Sequence, residues 1–479
     1  MRWTVEWKTV VLGGVIITSA GCASVQKDAG FGDVRRLAGD RTGQTVRWNQ
    51  GSSQDDEVAS AVRVLLAKEL TADEAVQIAL LNNRSLQATY EELGIAQADL
   101  VQAGLLTNPI FSISARWTDG GPGGTNLELG ITQQFVDLFA LPLRKKIAAA
   151  RFEQTKLRVA GEVVSVAADV REAFYRLQGA EQMLELRRSV LDAAAAGVDA
   201  SQRLRDAGNI TDLNLATEQA TLEQARIDLS QAEADVLDDR EHLTSLLGLW
   251  GNDVGFRIGR HLPDLPATDV PSEGLEAIAL RQRLDLLSMQ AQTESLAQSL
   301  GLAKNFALLP DVQIGVDSER EPDGSWMTGP NLSVPIPIFD AGQAATGKAR
   351  AELRQSQHAY YAKAVTVRSQ VRAAVNRLSM ARRRAIQYRD VLLPLRQRIV
   401  DQTQLQYNGM LTGVFQLLQA KRDQIETGTQ YLSTLRDYWI ARVDLERAIG
   451  GNFPGAMPVT QPATRPSDEV AQPAEHKHH

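Results

Sequence analysis

Apolar residues recur every seven positions, or by alternating steps of three and four, along extended stretches of both halves of the chain. In the first half they are Val163, Val166, Val170, Ala173, Leu177, Ala180 and Leu184, followed by Leu215, Leu222, Leu229, Val236 and Leu243. In the second half they are Val367, Val371, Ala374, Leu378 and Ala381, followed by Leu418, Ile425, Leu432 and Trp439. Sustained heptads predict long helices that pack side by side and supercoil. A helix over residues 144–207 would extend about 95 Å at 1.5 Å per residue, which is far more than a globular domain requires.

Four short segments alternate apolar and polar residues with a period of two, which predicts β-strands. They lie at residues 111–117, 127–132, 312–317 and 332–338. Turn residues rich in Gly, Pro and Asp join them in pairs, so two hairpins are expected. One apolar and one polar face fit a membrane barrel with lipid outside and water inside; a half-buried soluble sheet shows the same alternation. Pro335 and Pro337 weaken the last strand because proline donates no ladder hydrogen bond.

A shorter amphipathic helix is predicted before the first hairpin. Thr71 and Glu74 have the spacing of a capping box at its start. Its apolar positions continue as far as Ile95, and Pro109 is expected to stop it.

The chain also repeats itself. Pro109 matches Pro310 and Gly208 matches Gly409, and both pairs are 201 residues apart. This predicts a mainly α fold built from a duplicated helix–strand–strand–long helix–long helix unit, rather than a solenoid with a period of about 20–50 residues. The expected divisions are a signal peptide at 1–21, an N-terminal segment at 22–68, units at 69–261 and 273–452, a linker at 262–272 and a disordered tail at 453–479.

The N-terminus is predicted to be a secretory signal. Two basic residues, Arg2 and Lys8, precede a short apolar run, and small residues then lead to Cys22, the single cysteine of the chain. The run is too short to span a bilayer, which takes about 20 apolar residues. The segment resembles a bacterial lipoprotein signal, although Ser19 stands where leucine is usual. That resemblance implies a lipid on Cys22 and, with Ala23 rather than Asp next, outer-membrane retention; the alternative is an ordinary signal peptide cut nearby, which leaves a free thiol.

Charge and composition give no indication of a catalytic, metal-binding or nucleic-acid-binding site. The net charge is −7 and basic residues are spread among acidic ones, so no nucleic-acid footprint is present. His242, His261 and His358 are isolated along the chain, and no Cys/His cluster has zinc spacing. No nucleophile elbow or phosphate-binding loop appears either. We therefore predict no catalytic residues, no cofactor and no metal site, and a protein that is not an enzyme.

Four membrane strands cannot close a barrel, because the smallest bacterial barrels have about eight. Unpaired strand edges in lipid are strongly unfavourable. The strands must therefore be completed by other copies of the chain, although the strand count alone does not choose the number of copies.

The chain resembles the TolC-type outer-membrane efflux family over about residues 68–450. The motifs are Leu-Thr-Ala-Asp-Glu-Ala-Val at 70–76, Gln-Ala-Gly-Leu-Leu-Thr-Asn-Pro at 102–109, Pro-Ile-Pro-Ile-Phe-Asp-Ala-Gly at 335–342, and paired Gly-x-x-Thr turns. The resemblance implies a homotrimer whose twelve-stranded membrane barrel joins an α-helical periplasmic barrel. It implies export of small solutes together with a periplasmic adaptor and an inner-membrane RND-type pump.

Within that family, Phe-Ala-Leu-Pro-Leu-Arg-Lys-Lys at 139–146 and the turn at 407–415 are most similar to the CzcC/CusC-like components of heavy-metal efflux systems. Two alternatives stay open: a duct for type I protein secretion on the same fold, and a periplasmic coiled-coil scaffold without membrane strands.

Two turns between long helices are the candidate functional residues. Glycine is expected to end one helix and threonine to cap the next, which by itself describes a plain hairpin. The residues are Gly208, Thr211 and Asp212 in the first unit and Gly409, Thr412 and Phe415 in the second. The resemblance implies that these turns form the periplasmic tip, where the adaptor docks and the channel opens. The acidic ring of the family's archetype has no counterpart after the second turn, so we expect an apolar constriction near Phe415 that gates by dewetting.

If Phe415 lines this constriction, a carboxylate there should hydrate it and attract cations. Phe415→Asp should therefore raise cation selectivity and introduce block by divalent cations in single-channel recordings. Unchanged selectivity and unchanged divalent block would show that Phe415 does not line the gate.

Overall fold

The structure is a computed structural model that describes residues 26, 28–117, 125–268, 273–307, 312–321 and 323–453. The predicted signal peptide with Cys22, the first hairpin tip and nearly all of the C-terminal tail lie outside the described residues.

The first half of the chain follows the predicted order, with additional helices before it. Its elements are α1 (Phe31–Thr42), α2 (Ser53–Leu66), β1 (Glu69–Leu70), α3 (Ala72–Asn82), α4 (Arg84–Ala103), β2 (Ile110–Arg116), β3 (Asn126–Gln134), α5 (Val136–Asp206), α6 (Asp212–Leu247) and β4 (Arg257–Ile258). A short parallel pairing of β1 with β4 closes this half.

The second half repeats the same order. Its elements are α7 (Leu275–Gln282), α8 (Leu284–Asn305), β5 (Gln313–Arg320), β6 (Trp326–Ser333), α9 (Gln343–Gln387), a π-helical turn (Tyr388–Leu392), α10 (Leu393–Asn408) and α11 (Val414–Ile449). The predicted duplicated unit is confirmed: two short helices, two strands and two long helical paths occur in each half.

The prediction of one helix from Thr71 to Pro109 was wrong, because the helix breaks at Asn83 and ends at Ala103. The capping box at its start is present, with the Thr71 amide donating to Glu74 at 2.9 Å. At the break, Asn83 accepts from the Leu86 amide at 3.0 Å and donates to the Leu246 carbonyl at 2.8 Å. The break therefore depends on a contact with the end of α6, which local sequence signals do not contain.

The same contact recurs in the second half with different residues. Arg283 precedes α8 and donates to the carbonyl of Ala448, at the end of α11. Glycines with left-handed backbone, Gly248 and Gly450, end α6 and α11 beside these breaks. A Cβ on Gly248 would lie 2.9 Å from the Asn82 carbonyl oxygen, so the close approach requires glycine.

The longest helix, α5, has 71 residues and so extends about 105 Å. It starts at Val136, earlier than the predicted start at residue 144, and it continues through Pro142. Asp137 in its first turn pairs with Arg144 at 2.9 Å, and a carboxylate there also favours the positive end of the helix dipole. In the described part of the chain, no helix combines the length and the hydropathy that crossing a bilayer requires.

The heptad positions form the contacts between the long helices. Buried members of the first half are Val163, Val170, Ala173, Leu177 and Leu243, and those of the second half are Val367, Val371, Ala374, Leu378, Ala381 and Trp439. The remaining members are half-buried. The predicted side-by-side packing is therefore confirmed, and two clusters of buried apolar residues occupy the middle of the molecule.

One feature of the second half breaks the symmetry. The helical path that matches α5 is interrupted by the π-helical turn, which ends two residues before Pro394. Proline has no amide hydrogen, and its ring crowds the carbonyl four residues earlier, so a wider turn relieves the clash.

The four longer strands form one antiparallel sheet in the order β2-β3-β5-β6, so the two hairpins lie side by side through β3 and β5. The last strand was predicted at 332–338, but it spans Trp326–Ser333. Ser325 donates to Asp323 at 2.8 Å in the turn, which sets Trp326 opposite Arg320. The apolar alternation continues past residue 333, but Pro335 and Pro337 cannot join the ladder.

Candidate functional site

One face of the four-stranded sheet is apolar and open. Cross-strand neighbours on this face include Phe111 with Ile131 and Ile131 with Val316, and Ile314 lies opposite Leu332. All five of these side chains are exposed, Phe111 at 66%. A contiguous exposed apolar surface of this kind marks a site of contact with lipid or protein.

The opposite face is polar and carries more carboxylates than cations. Its side chains include Ser112, Ser114, Arg116, Asn126, Glu128, Asp317, Glu319 and Asn331. Asn126 donates to Glu319 at 2.6 Å, and Arg116 lies 3.4 Å from Glu128. Glu128 stands directly opposite Glu319, and like charges in this position are unfavourable unless neighbours or water compensate them. This face is therefore suited to water.

The two faces and the two sheet edges together define what the sheet requires. β2 and β6 are the outer strands, and each has a partner on one side only among the described residues. In lipid, each unpaired backbone N–H or C=O group costs several kcal/mol. A sheet whose apolar face lies in lipid therefore requires further strands that pair with both of its edges.

The first helix-hairpin tip has the predicted turn chemistry. Gly208 adopts a left-handed backbone with φ of 73°, and its neighbour Asn209 donates to the Leu204 carbonyl at 2.8 Å. Thr211 caps α6 by accepting from the Asn214 amide at 3.3 Å. Asp212 accepts from Arg205 at 2.6 Å, and this hydrogen bond lowers the pKa of the Asp212 carboxyl.

The second tip differs from the prediction in two ways. The left-handed residue is Met410, with φ of 59°, whereas Gly409 has φ of −82°. The residue that precedes α11 as its cap is Gly413 rather than Thr412, and its amide donates to Gln416 at 3.0 Å. The Leu411 amide donates to the Gln406 carbonyl. At the offset of 201 residues, α10 therefore ends one residue later than α5 does in the first tip.

The apolar side chains of the second tip are open to solvent. Met410 is 94% exposed and Leu411 is 81% exposed. Phe415 lies in the first turn of α11 and is half-buried.

An ion pair between a buried carboxylate and a partly exposed guanidinium joins the two halves of the chain above the tips. Glu218 on α6 is 3% exposed, and its carboxylate accepts from Arg422 on α11. The Glu218 carboxylate also lies close to Gly197 of α5, so three helices meet at this point. The repeat gives no indication of this pair. Residue 419, which matches Glu218 at the offset of 201, is Gln, so the pair has no counterpart in the second unit.

A family model for outer membrane efflux proteins matches the chain twice, at residues 75–249 and 277–451. The cobalt-zinc-cadmium resistance protein CzcC of Cupriavidus metallidurans is 23% identical over 412 residues, which cover 84% of this chain and 96% of CzcC. The probable efflux pump outer membrane protein TtgC of Pseudomonas putida is 23% identical over 300 residues, 59% of this chain and 60% of TtgC.

Solved structures share the fold. The CusC crystal structure superposes with a TM-score of 0.68 at 18% identity and covers 80% of this chain and 93% of that chain. The Campylobacter jejuni CmeC outer membrane channel has the same TM-score and identity, and covers 80% of this chain and 86% of that chain.

Glu218→Gln should loosen the region above the tips, because it leaves the Arg422 guanidinium without its carboxylate partner. We expect amide hydrogen exchange over residues 212–225 to accelerate about tenfold, since removing one member of a largely buried pair costs more than about 1.4 kcal/mol. The matched control is Arg205→Gln, which breaks the fully exposed pair with Asp212 and should change exchange less than about threefold. Equal exchange rates in the two variants would contradict a structural role for the Glu218–Arg422 pair.

Proposed function

The chain belongs to the outer membrane efflux protein family, and from this premise we propose that copies of it assemble into an exit channel for small solutes through the outer membrane. The observation that carries the proposal is the four-stranded sheet, which has one exposed apolar face, one charged polar face and two unpaired edges. The alternative, a periplasmic coiled-coil scaffold without membrane strands, does not account for such a sheet.

Three copies are the assembly that this sheet supports best. Each copy contributes four strands, and β6 of one copy would pair with β2 of the next until twelve strands close. Closure satisfies the backbone groups of every edge, and it turns the apolar faces to lipid and the carboxylates of Glu128, Asp317 and Glu319 to the lumen. The long helices then continue the lumen as a helical tube.

The tips are proposed as the regulated end of this tube, with an adaptor protein and an inner-membrane RND-type pump as partners. Exposed Met410 and Leu411 offer an apolar surface to an adaptor, and methionine suits such contacts because its side chain is flexible and polarisable. The Glu218–Arg422 pair would hold α6 against α11 in the closed channel, with Phe415 forming the apolar constriction below it.

Heavy-metal cations are the proposed cargo. The relative CzcC, named for cobalt, zinc and cadmium resistance, aligns over nearly its full length. The described strands carry three carboxylates and one arginine on the polar face, and this balance favours cations over anions. The pump selects the cargo in this arrangement, and the channel needs only to let it pass.

Deletion of the gene should lower the concentrations of copper, zinc, cobalt or cadmium that the cells tolerate, because the exit route is lost. Growth is measured on each divalent metal alongside detergents and drugs, with the wild-type gene restored on a plasmid as the control. Sensitivity to drugs alone would refute the metal cargo. Loss of a secreted protein without any change in metal tolerance would favour the duct for type I secretion.

Cys22 is proposed to carry a lipid that reaches the same membrane. Gly30 packs against Phe152 on α5, which is 13 residues, or about 20 Å, along the helix from exposed Phe139. The eight residues from Cys22 to Gly30 span at most about 28 Å when extended. A lipid on Cys22 is therefore within reach of the level of Phe139, where the sheet meets the helices.

The intact mass of the mature protein tests this proposal. We expect the wild type to exceed the mass of residues 22–479 by its acyl groups, and Cys22→Ser to lack that excess. A wild-type protein with an unmodified thiol would show that the signal peptide is of the ordinary kind.

A further inference from the structure

We propose that the exposed face of α5 directly beyond the sheet, formed by Phe135, Phe139, Lys145 and Lys146, binds the anionic headgroups of phospholipids in the periplasmic leaflet of the outer membrane. The inference rests on the proposed function in one respect, namely that the apolar sheet face is turned to lipid.

This face continues the lipid-facing row of the sheet. Along β3 this face carries Leu127, Leu129 and Ile131 and then the polar Gln133, and Phe135 follows directly after the strand, where its amide donates to the Val312 carbonyl at 2.8 Å. Phe135 packs edge-to-face against Phe139 with ring centroids 5.3 Å apart, and both rings are exposed, Phe139 at 62%. Aromatic side chains are enriched at the border between lipid and water, so these rings mark the edge of the hydrocarbon region.

Helix geometry places a lysine just beyond that border. At 100° per residue, Lys146 lies seven residues after Phe139 on nearly the same face of α5 and about 10 Å further along the axis. By the same geometry Lys145 is turned about 100° from Lys146, at the edge of this face, whereas Arg144 is turned about 160° from Lys146 and pairs with Asp137. Both lysines are exposed, and in the described chain neither has an ion-pair partner.

The chemistry of this arrangement suits a lipid phosphate. Lysine stems lie along apolar surface while the ammonium reaches the headgroup layer. The next acidic residue on this face of α5, Glu153, is held by Lys156 at 2.7 Å and does not neutralise the lysines. A lipid phosphodiester would therefore supply the negative charge that these two lysines, next to the aromatic border, lack within the chain.

The second half repeats the order of apolar and then basic residues. After β6, Ile336 and Phe339 are 77% and 94% exposed. Arg350 follows in the early turns of α9 and is exposed as well. Arg350 does not match the lysines at the offset of 201 residues, where Thr346 and Gly347 stand, so the second half shares only the order of apolar and then basic side chains.

The test uses the full-length protein purified in detergent, with phosphatidylglycerol and phosphatidylcholine added as separate probes and bound lipid counted by native mass spectrometry. Wild-type protein should retain phosphatidylglycerol in preference to phosphatidylcholine. Lys145→Gln combined with Lys146→Gln should weaken retention of phosphatidylglycerol about 25-fold, at about fivefold per lysine, and leave phosphatidylcholine unchanged. Lys421→Gln, at an exposed lysine near the tips, is the matched control, and Lys146→Arg should retain the preference.

Equal retention of phosphatidylglycerol by the double variant and the wild type would overturn the proposal. So would displacement of the lipid by an equal concentration of inorganic phosphate, which would identify a general anion site. Size-exclusion chromatography confirms that each variant keeps the wild-type assembly. Conductance in phosphatidylcholine bilayers separates the two proposals, because a channel that conducts without headgroup preference retains the proposed function and refutes only the lipid site.

Discussion

The backbone hydrogen bonds at the edges of the four-stranded sheet are the constraint on which the assembly depends. β2 and β6 each pair on one side only, and lipid offers no donor or acceptor to the other side. One chain by itself therefore cannot satisfy the edges of this sheet in lipid, and the proposed channel requires several copies of the chain. The helices have no such restriction. Each pairs its own backbone groups, so α5 extends over 71 residues with only side-chain packing to hold it.

One set of contacts between the two halves lies in the middle of the molecule. Arg171 on α5 contacts Asp73 at 3.0 Å, Glu446 at 3.5 Å and Asn452 at 3.1 Å, and so connects α3 with the end of α11. Burial raises the pKa of Glu446, and the neighbouring Arg171 and Arg442 oppose that effect. The breaks at Asn83 and Arg283 lie in the same region and receive the ends of α6 and α11. This region is the anchor from which the sheet and the two helical hairpins extend in opposite directions.

The two copies of the unit are equal in element order and different where function is proposed. The first tip turns at Gly208 without strain, whereas the second turns at Met410, a residue type for which a left-handed backbone costs about 1–2 kcal/mol. The second helical path alone contains a π-helical turn. Glu218 of the first unit pairs with Arg422 of the second unit in the same chain, and this pair has no counterpart at the matching positions of the repeat. The two units therefore share their element order, whereas their helical hairpins differ in the turn and in the π-helical interruption.

Local patterns in the sequence determined the elements and their repetition. Heptads predicted the helices, alternation predicted the strands, and Thr71, Gly208 and Thr211 acted at the turns as their chemistry requires. Patterns of this kind were sufficient because each depends on neighbours within one or two turns of chain. Tertiary structure alone decided the break at Asn83 and the pairing of Glu218 with Arg422. Both depend on a partner that the fold brings close from a distant part of the chain, and such contacts have no periodic signal in the sequence.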